Sequence, residues 1–326
     1  MRWLALTFGS ESCASTHFRI HQYVRFLSEQ GVELDCRPAA ELDAIKDFHG
    51  YDGILLQKKL LSWRHRNRVK KSGLPLVFDI DDATWHPLER AHHPLTRWRT
   101  AHRLRSSLGL ASTVLAANEY LAAHLRRFHS DVRVIPMTLP SAEWQPRTFV
   151  EEPLVIGWAG APANHFQLRH IESALQATKQ SRPDVVIRIF SGVKPDLDVD
   201  IDFVPFHPDQ QVRVLRSFSI GLLPLPNTPF NHGKSPIKAL QYMATGIPCV
   251  ASPLAGTVEM LGEGGGAVYA SSSASWSEGL LRIAGDTELM CRMGHQNRSR
   301  FESHYTTEAV AECIAACLRQ NCRNSP

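Results

Sequence analysis

Short apolar runs alternate with longer stretches of helical periodicity along this chain, and the alternation runs through twice. In the first half Trp3–Phe8, Val32–Arg37, Asp52–Gln57, Leu74–Ile80, Ser112–Ala117 and Val132–Met137 read as strands. Most are rich in apolar side chains and bounded by Gly, Pro, Ser or charged residues. Helical patterns sit between most of them, the first from about Thr16 to Gln30 with a stop at Gly31. The second half restarts at Leu154–Trp158. It continues with strands at Val185–Phe190, Ile201–Val204, Ile220–Leu223 and Pro248–Ala251, and with helices over Gln167–Gln180, Asp209–Ser217 and Ile237–Thr245. Trp276 to Leu318 reads as helical. Strands alternating with helices predict a doubly wound, mainly parallel α/β sheet, and two such series predict two Rossmann-like domains.

The series part near Pro140–Pro153, where Pro136, Pro140, Pro146, Pro153 and the pair Glu151-Glu152 break the pattern as a linker does. The expected domains are therefore 1–145, 146–304 and a C-terminal helix over 305–326. At 326 residues the chain is comfortable for two domains. No uninterrupted apolar run reaches the ~18–20 residues that span a bilayer. The opening MRWLALTFGS reads as a first strand rather than a signal peptide. Seven cysteines without a C-x-x-C pair suit free thiols in a reducing cytoplasm.

Charge changes the picture of the first half. The net charge of +4 hides an uneven split, with residues 1–150 holding 21 Lys and Arg against 15 Asp and Glu. Two clusters carry the excess: Lys58, Lys59, Arg64, Arg66, Arg68, Lys70 and Lys71, then Arg97, Arg99, Arg103 and Arg105, with Trp63 and Trp98 among them. Basic helices over 58–71 and 97–105 with interleaved Trp suit an anionic membrane surface or an anionic acceptor, or are simply solvated faces. A peripheral place on the inner face of the membrane is thereby left open for a cytoplasmic protein. No nucleic-acid motif accompanies the charge.

In parallel α/β sheets ligands bind beyond the carboxyl ends of the strands. This singles out the loops at Gly9–Thr16, Gln57–Lys59, Asp79–His86 and Ala117–Glu119. The first lacks G-x-G-x-x-G, so no dinucleotide fingerprint is present. The fourth strand ends in Phe78-Asp79-Ile80-Asp81-Asp82, and three acids there are costly unless something uses them. Alternation places Asp79 and Asp81 on one face. A D-x-D metal site, a cap, or pairing with nearby arginines would each account for them. In the second half His232–Glu259 stands out: a loop, His232-Gly233-Lys234-Ser235-Pro236, feeds a helix that Gly246 ends. A loop at a helix N-terminus suits a phosphate, and Lys234 and Lys238 add two cations.

These residues carry a resemblance. Gly233, Ala239, Met243, Ala244, Gly246, Pro248, Val250, Ala251 and Ser252 match the donor-binding pattern of retaining GT-B glycosyltransferases of the family-4 type. Gly233, Lys234, Lys238, Gln241 and Tyr242 fit a bacterial variant of it, and Trp158, Gly160 and Pro162 resemble its I-G-W-x-G-S-P segment. The family's two glutamates fall on Phe230 and Lys238, and the Arg and Lys expected after the Leu154–Trp158 strand are missing, so those roles are not carried over. The resemblance implies two Rossmann-like domains facing a cleft. It also implies transfer of a sugar from a nucleotide-diphospho-sugar to a glycan, lipid-linked or other hydroxyl acceptor, with retention, no required metal or other cofactor, and a place in cell-surface polysaccharide or glycoconjugate synthesis. By position, Gly160, Phe206, Gly233, Lys234, Ser235, Lys238 and Glu259 would bind the donor. Ser15 and Arg19 would serve the acceptor, or Ser15 would cap its helix. Lys234 would meet the diphosphate, with Asp81 and Asp82 orienting sugar or acceptor where the family carries His-Asp. A nucleotide-sugar epimerase or hydrolase of the same fold, or a non-catalytic partner protein, are the other classes compatible with these departures.

Overall fold

The computed structural model describes residues 1–87, 93–147 and 152–323. In chain order the elements are β1 (Arg2–Thr7), α1 (Ala14–Arg19), α2 (Val24–Ser28), β2 (Glu33–Pro38), β3 (Gly53–Gln57), α3 (Trp63–Ser72), β4 (Leu76–Ile80), α4 (Pro94–Leu108), β5 (Thr113–Ala116), α5 (Glu119–Leu125) and β6 (Val132–Val134). There follow β7 (Val155–Ala159), α6 (Phe166–Arg169), α7 (Glu172–Ser181), β8 (Val186–Ser191), β9 (Asp202–Pro205), α8 (Gln211–Arg216), β10 (Ile220–Leu223) and α9 (Pro229–His232). The last are α10 (Ile237–Ala244), β11 (Cys249–Ala251), α11 (Ala255–Leu261), β12 (Ala267–Tyr269), α12 (Ser273–Ala284), α13 (Thr287–His304) and α14 (Thr307–Arg323).

Two compact units result. The first holds residues 1–138, 232–235 and 307–326, and the second holds 139–231 and 236–306. Of the linker stretch, residues 148–151, with Glu151, lie outside the described residues. Each unit is built on a six-stranded sheet with every pair parallel: β2-β1-β3-β4-β5-β6 in the first and β12-β11-β10-β7-β8-β9 in the second. The expected α/β class with two doubly wound sheets is what the chain adopts.

The sheet orders locate the ligand-binding ends. Strand order reverses between β1 and β3 in the first unit and between β7 and β10 in the second. Loops leaving two such strands diverge and open a crevice beyond their carboxyl ends. The helices divide by the same rule. In the first unit α3, α4 and α5 share a core with one sheet face through Val69, Leu104, Leu108, Leu121 and Leu125. On the other face, Ile20, Tyr23 and Leu27 pack with Val310, Ala311, Ile314 and Leu318 of α14.

Local departures from the sequence reading have local causes. The helix expected over Thr16–Gln30 breaks into α1, a 3-10 turn at His21–Tyr23, and α2. At the break the Gln22 side chain takes the Phe18 carbonyl at 2.6 Å, an acceptor a regular helix would reserve for the backbone. The basic helix expected from residue 58 begins at Trp63, where Ser62 accepts from the His65 amide as N-cap, and it ends at Gly73 with φ 69°. β12 had no sequence signal, since three residues after Gly264-Gly265-Gly266 read as loop.

Candidate active site

In the first unit four carboxyl-end loops converge at the reversal between β1 and β3. Strand alternation turns Asp79 and Asp81 toward α1, and α1 answers with residues four apart, Arg19 and Ser15. Arg19 donates through Nε to Asp79 Oδ2 at 3.1 Å and pairs with Oδ1 as well, while its Nη1 reaches the Ile135 carbonyl at 2.7 Å. Ser15 Oγ donates to Asp81 Oδ2 at 2.5 Å. Gln57, at the end of β3, donates to the Ser15 carbonyl at 3.0 Å and accepts from the Phe8 amide at 2.9 Å. The next residue, Lys58, turns its ammonium inward, 3.1 Å from Asp81 Oδ1 and 2.8 Å from Asp82 Oδ2. Burial and the neighbouring Asp82 charge raise the Asp81 carboxyl above its ordinary range, while Lys58 acts the other way.

Several expectations are thereby sharpened. Ser15 does not cap α1, whose N-cap is Cys13. The acids pair with cations rather than cap, although the partner of Asp81 and Asp82 is a lysine rather than an arginine. Arg19 is buried with Asp79, so its guanidinium is committed inside the unit. Lys58 is buried too and does not belong to an exposed basic helix.

The loop from the family-like stretch joins the same unit. Asn118, at the end of β5, accepts from the Leu121 amide at 3.0 Å as N-cap of α5. With its Nδ2 it donates to the Gly233 carbonyl at 2.9 Å and to Ser235 Oγ at 3.1 Å. A Cβ on Gly233 would lie 2.8 Å from Leu121 Cδ2 and 2.9 Å from the Ala83 Cβ, so only glycine fits there. Ala83 follows Asp82. Lys234, half-buried, is thus pinned between a glycine seated on the Asp82–Ala83 turn and a hydrogen-bonded serine.

In the second unit the reversal between β7 and β10 gathers Gly160 and Lys238. Lys238 lies in the first turn of α10, its Nζ 5.1 Å from the centroid of the Trp158 ring. A Cβ on Gly160 would lie 2.8 Å from Lys238 Cε and 2.6 Å from the Trp158 ring, so glycine is what lets the lysine cross the strand end. His165 meets the same ring edge-on at 5.8 Å and hydrogen-bonds Ser191 Oγ through Nε2 at 2.8 Å. Phe206 is half-exposed, 5.1 Å from Phe190 between centroids, and its amide donates to the Ser191 carbonyl at 2.9 Å. Glu259 lies in the middle of α11, whose N-cap is Leu254, so it does not cap that helix. A cavity of about 350 Å³ opens at the carboxyl ends of β10, β11 and β12, among Asn227, Ser252, Pro253, Ser272 and Trp276, and the residues expected to bind donor do not line it.

The expected residues thus fall into two sets. Ser15, Arg19, Asp81, Asp82, Gly233, Lys234 and Ser235 lie in the first unit, and Gly160, Phe206, Lys238 and Glu259 in the second. Sequence reasoning missed the roles of Gln57, Lys58 and Asn118. Each lies at or within two residues of a strand's carboxyl end in a loop marked for inspection, and a polar residue at the end of a buried strand is the signal that would have found them.

Comparison with known proteins adds to this geometry. Residues 154–286 match the sequence profile of the family Glycosyl transferases group 1. No curated protein matches the chain. Among solved structures the chain is similar to HepE of Anabaena in complex with UDP and glucose, with TM-score 0.70 and 14% identity over 98% of this chain and 100% of that one. It is similar to a glycosyltransferase from Rickettsia africae, with TM-score 0.70 and 10% identity over 99% of both chains. It also resembles TarM, with TM-score 0.66 and 9% identity over 82% of this chain and 55% of that one. At these identities the structures establish the GT-B fold, and the profile match over β7 to α12 establishes the domain within it. Residues 154–286 match the glycosyl transferases group 1 family, the fold is GT-B, and the protein is a glycosyltransferase.

Proposed function

We propose that the protein moves a sugar from a nucleotide-diphospho-sugar to a hydroxyl of a glycan or lipid-linked acceptor, with retention and without a required metal, in cell-surface polysaccharide or glycoconjugate synthesis. The observation that carries this reading is the crossing of Lys238 over Gly160 and Trp158 at the β7 end, inside the domain that matches the family. A cation in the first turn of a helix, held across a strand's carboxyl end where the sheet order reverses, suits a diphosphate. Lys238 then supplies positive charge that developing negative charge on the leaving group needs, the role that the resemblance implies for Lys234. Phe206 offers an exposed ring for a base, and Glu259 a carboxylate for a donor hydroxyl.

Thermal unfolding with UDP, GDP, TDP, ADP and CMP in parallel tests the donor site. UDP comes first, since the structure of HepE holds it. At a hundred times its dissociation constant a nucleotide adds about 2.7 kcal/mol. Each kcal/mol moves the midpoint of a domain this size by roughly 2–4 °C. A shift of several degrees with one nucleotide is expected, and no shift with any of them overturns the reading.

The acceptor side suits a membrane. No helix among the described residues is long and apolar enough to cross one. α3 carries five cations and α4 four, neither helix has an acidic residue, and both cover the same sheet face. Trp63, Leu95 and Trp98 are 68%, 70% and 69% exposed on them. Cations around exposed Trp and Leu fit an anionic lipid surface. Vesicles of phosphatidylcholine with added phosphatidylglycerol are expected to bind the protein, and vesicles without it to bind weakly. At about 1 kcal/mol per cation, replacing Arg97, Arg99 and Arg103 by serine lowers that affinity about a hundredfold. Equal binding to neutral vesicles would sink the idea.

A further inference from the structure

Lys58 is the one non-glycine residue at positive φ among the described residues, at 33°. Its amide donates to the Asp79 carbonyl at 2.7 Å, which ties the strained turn to the end of β4. Such strain persists only where surrounding structure holds it, and it concentrates at functional sites. The turn lies beyond β3, one of the two strands where the order of the sheet reverses. A second observation comes from a distant part of the chain. The loop that matches the family's donor segment seats Gly233 on Ala83, one residue past Asp82.

The two carboxylates that hold Lys58 differ in access. The side chain of Asp81 is 5% exposed, that of Asp82 25%. Asp81 accepts from both Ser15 and Lys58 on Oδ2, and its Oδ1 lies buried 3.1 Å from the same ammonium without a hydrogen bond, so its surroundings are all internal. Asp82 is the carboxylate with surface left for a ligand. Lys58 reaches both, and its stem passes the Phe8 ring with Nζ 4.7 Å from the centroid. An ammonium held by buried Asp81 and flanked by the half-exposed Phe8 ring can fix the third group, Asp82.

We propose that Lys58 is a positioning residue for sugar transfer. It aims the Asp82 carboxylate at a hydroxyl of a neutral sugar acceptor, while Asp81, itself bonded by Ser15, holds Lys58. The inference rests on the transferase reading above and goes further in dividing the labour of the two aspartates. The chemical class it names is an uncharged polyol. A carboxylate accepts a hydrogen bond from a hydroxyl and repels an anion.

A double-mutant cycle separates this from a merely structural role. Wild type, Lys58→Met, Asp82→Asn and the double variant are compared for transfer to acceptor and for hydrolysis of the nucleotide-sugar without acceptor. Misplacing a reacting group by about 1 Å costs on the order of a hundredfold. Lys58→Met and Asp82→Asn are therefore each expected to lower transfer by about that factor while leaving hydrolysis within about twofold. The double variant should be no worse than either single, because both remove one interaction. Lys58→Arg, which keeps the charge, should recover much of the transfer. Multiplying losses in the double variant, or equal loss of hydrolysis and transfer, overturns the inference. If Lys58→Met does not fold, Lys58→Arg and Asp82→Asn still decide. Full transfer by Asp82→Asn, or loss of hydrolysis in either, overturns it. A wild-type protein that neither binds nor turns over any nucleotide-sugar fails the transferase reading instead, which keeps the two failures apart.

Discussion

Replacing Lys234 with alanine is expected to lower the turnover number about a hundredfold, with a much smaller change in the Michaelis constant for the donor. The residue is held firmly on both sides. Gly233 is buried against Ala83, Leu121 and Tyr120, and its carbonyl accepts from Asn118. Ser235 is buried and bonded to Asn118 and the Ala117 carbonyl. The backbone on either side of Lys234 is thus fixed before any ligand arrives, so aiming the ammonium needs little reorganisation. A preorganised donor facing charge that develops only in the transition state acts on turnover rather than on binding, and loss of one such group costs about 10²–10³ in rate. Steady-state kinetics of Lys234→Ala against Lys234→Arg measures this. An unchanged turnover number removes Lys234 from the reaction. A raised Michaelis constant at constant turnover makes it a ground-state contact. Asn118→Ala provides an independent check, since it loosens the loop without removing charge and should reproduce part of the loss.

The fold was legible because both sheets are parallel and buried on both faces. Their central strands are apolar runs buried end to end, such as β3, β7 and β10, and their crossovers carry helical periodicity. β12 escaped because it is short, follows three glycines and is held by its parallel pairing with β11 rather than by its own pattern. The split of α1 from α2 escaped because a side-chain bond to a backbone carbonyl leaves no trace in apolar spacing. The site was legible by residue type and only in part by role. Asp79, Asp81 and Asp82 were visible as an excess of charge at a strand end. Which cation meets which acid depends on strand register and on α1, and neither is a local property of the sequence. Lys58 shows the limit most clearly. It sits beside Lys59 in a run of basic residues, yet one residue of left-handed backbone turns it inward to two carboxylates. Lys238 was singled out by its place at a helix start and by the family resemblance, and the structure adds the glycine that lets it cross Trp158.

The largest effect on stability is expected from Arg19→Met. Both side chains of the Arg19–Asp79 pair are 2% exposed, and the guanidinium also satisfies the Ile135 carbonyl. Burial alone would weaken the cation, and the charge and hydrogen bonds of Asp79, with Tyr23 and Asp81 nearby, together more than offset it, so the arginine stays ionised. Removing the guanidinium leaves a carboxylate and a carbonyl in the interior with nothing to replace water. Breaking one side of a buried pair costs about 3–5 kcal/mol. At roughly 2–4 °C per kcal/mol the unfolding midpoint should fall by something like 6–20 °C. Replacing both members tests the cause. Arg19→Met with Asp79→Leu removes the stranded charge along with its partner, and such exchanges for apolar groups of similar volume are often neutral or stabilising. The double variant should therefore recover most of the loss, and a double variant as unstable as the single would show that packing rather than charge is responsible. The same pair of variants bears on function. Asp79 shares β4 with Ile80, and Asp81 and Asp82 follow directly, so the ion pair fixes the strand end from which the carboxylates near Lys58 project. If Arg19 instead met acceptor, the single variant would weaken acceptor binding while its melting point stayed near that of the wild type. Its burial predicts the reverse, a large loss of stability with acceptor binding retained in whatever fraction remains folded.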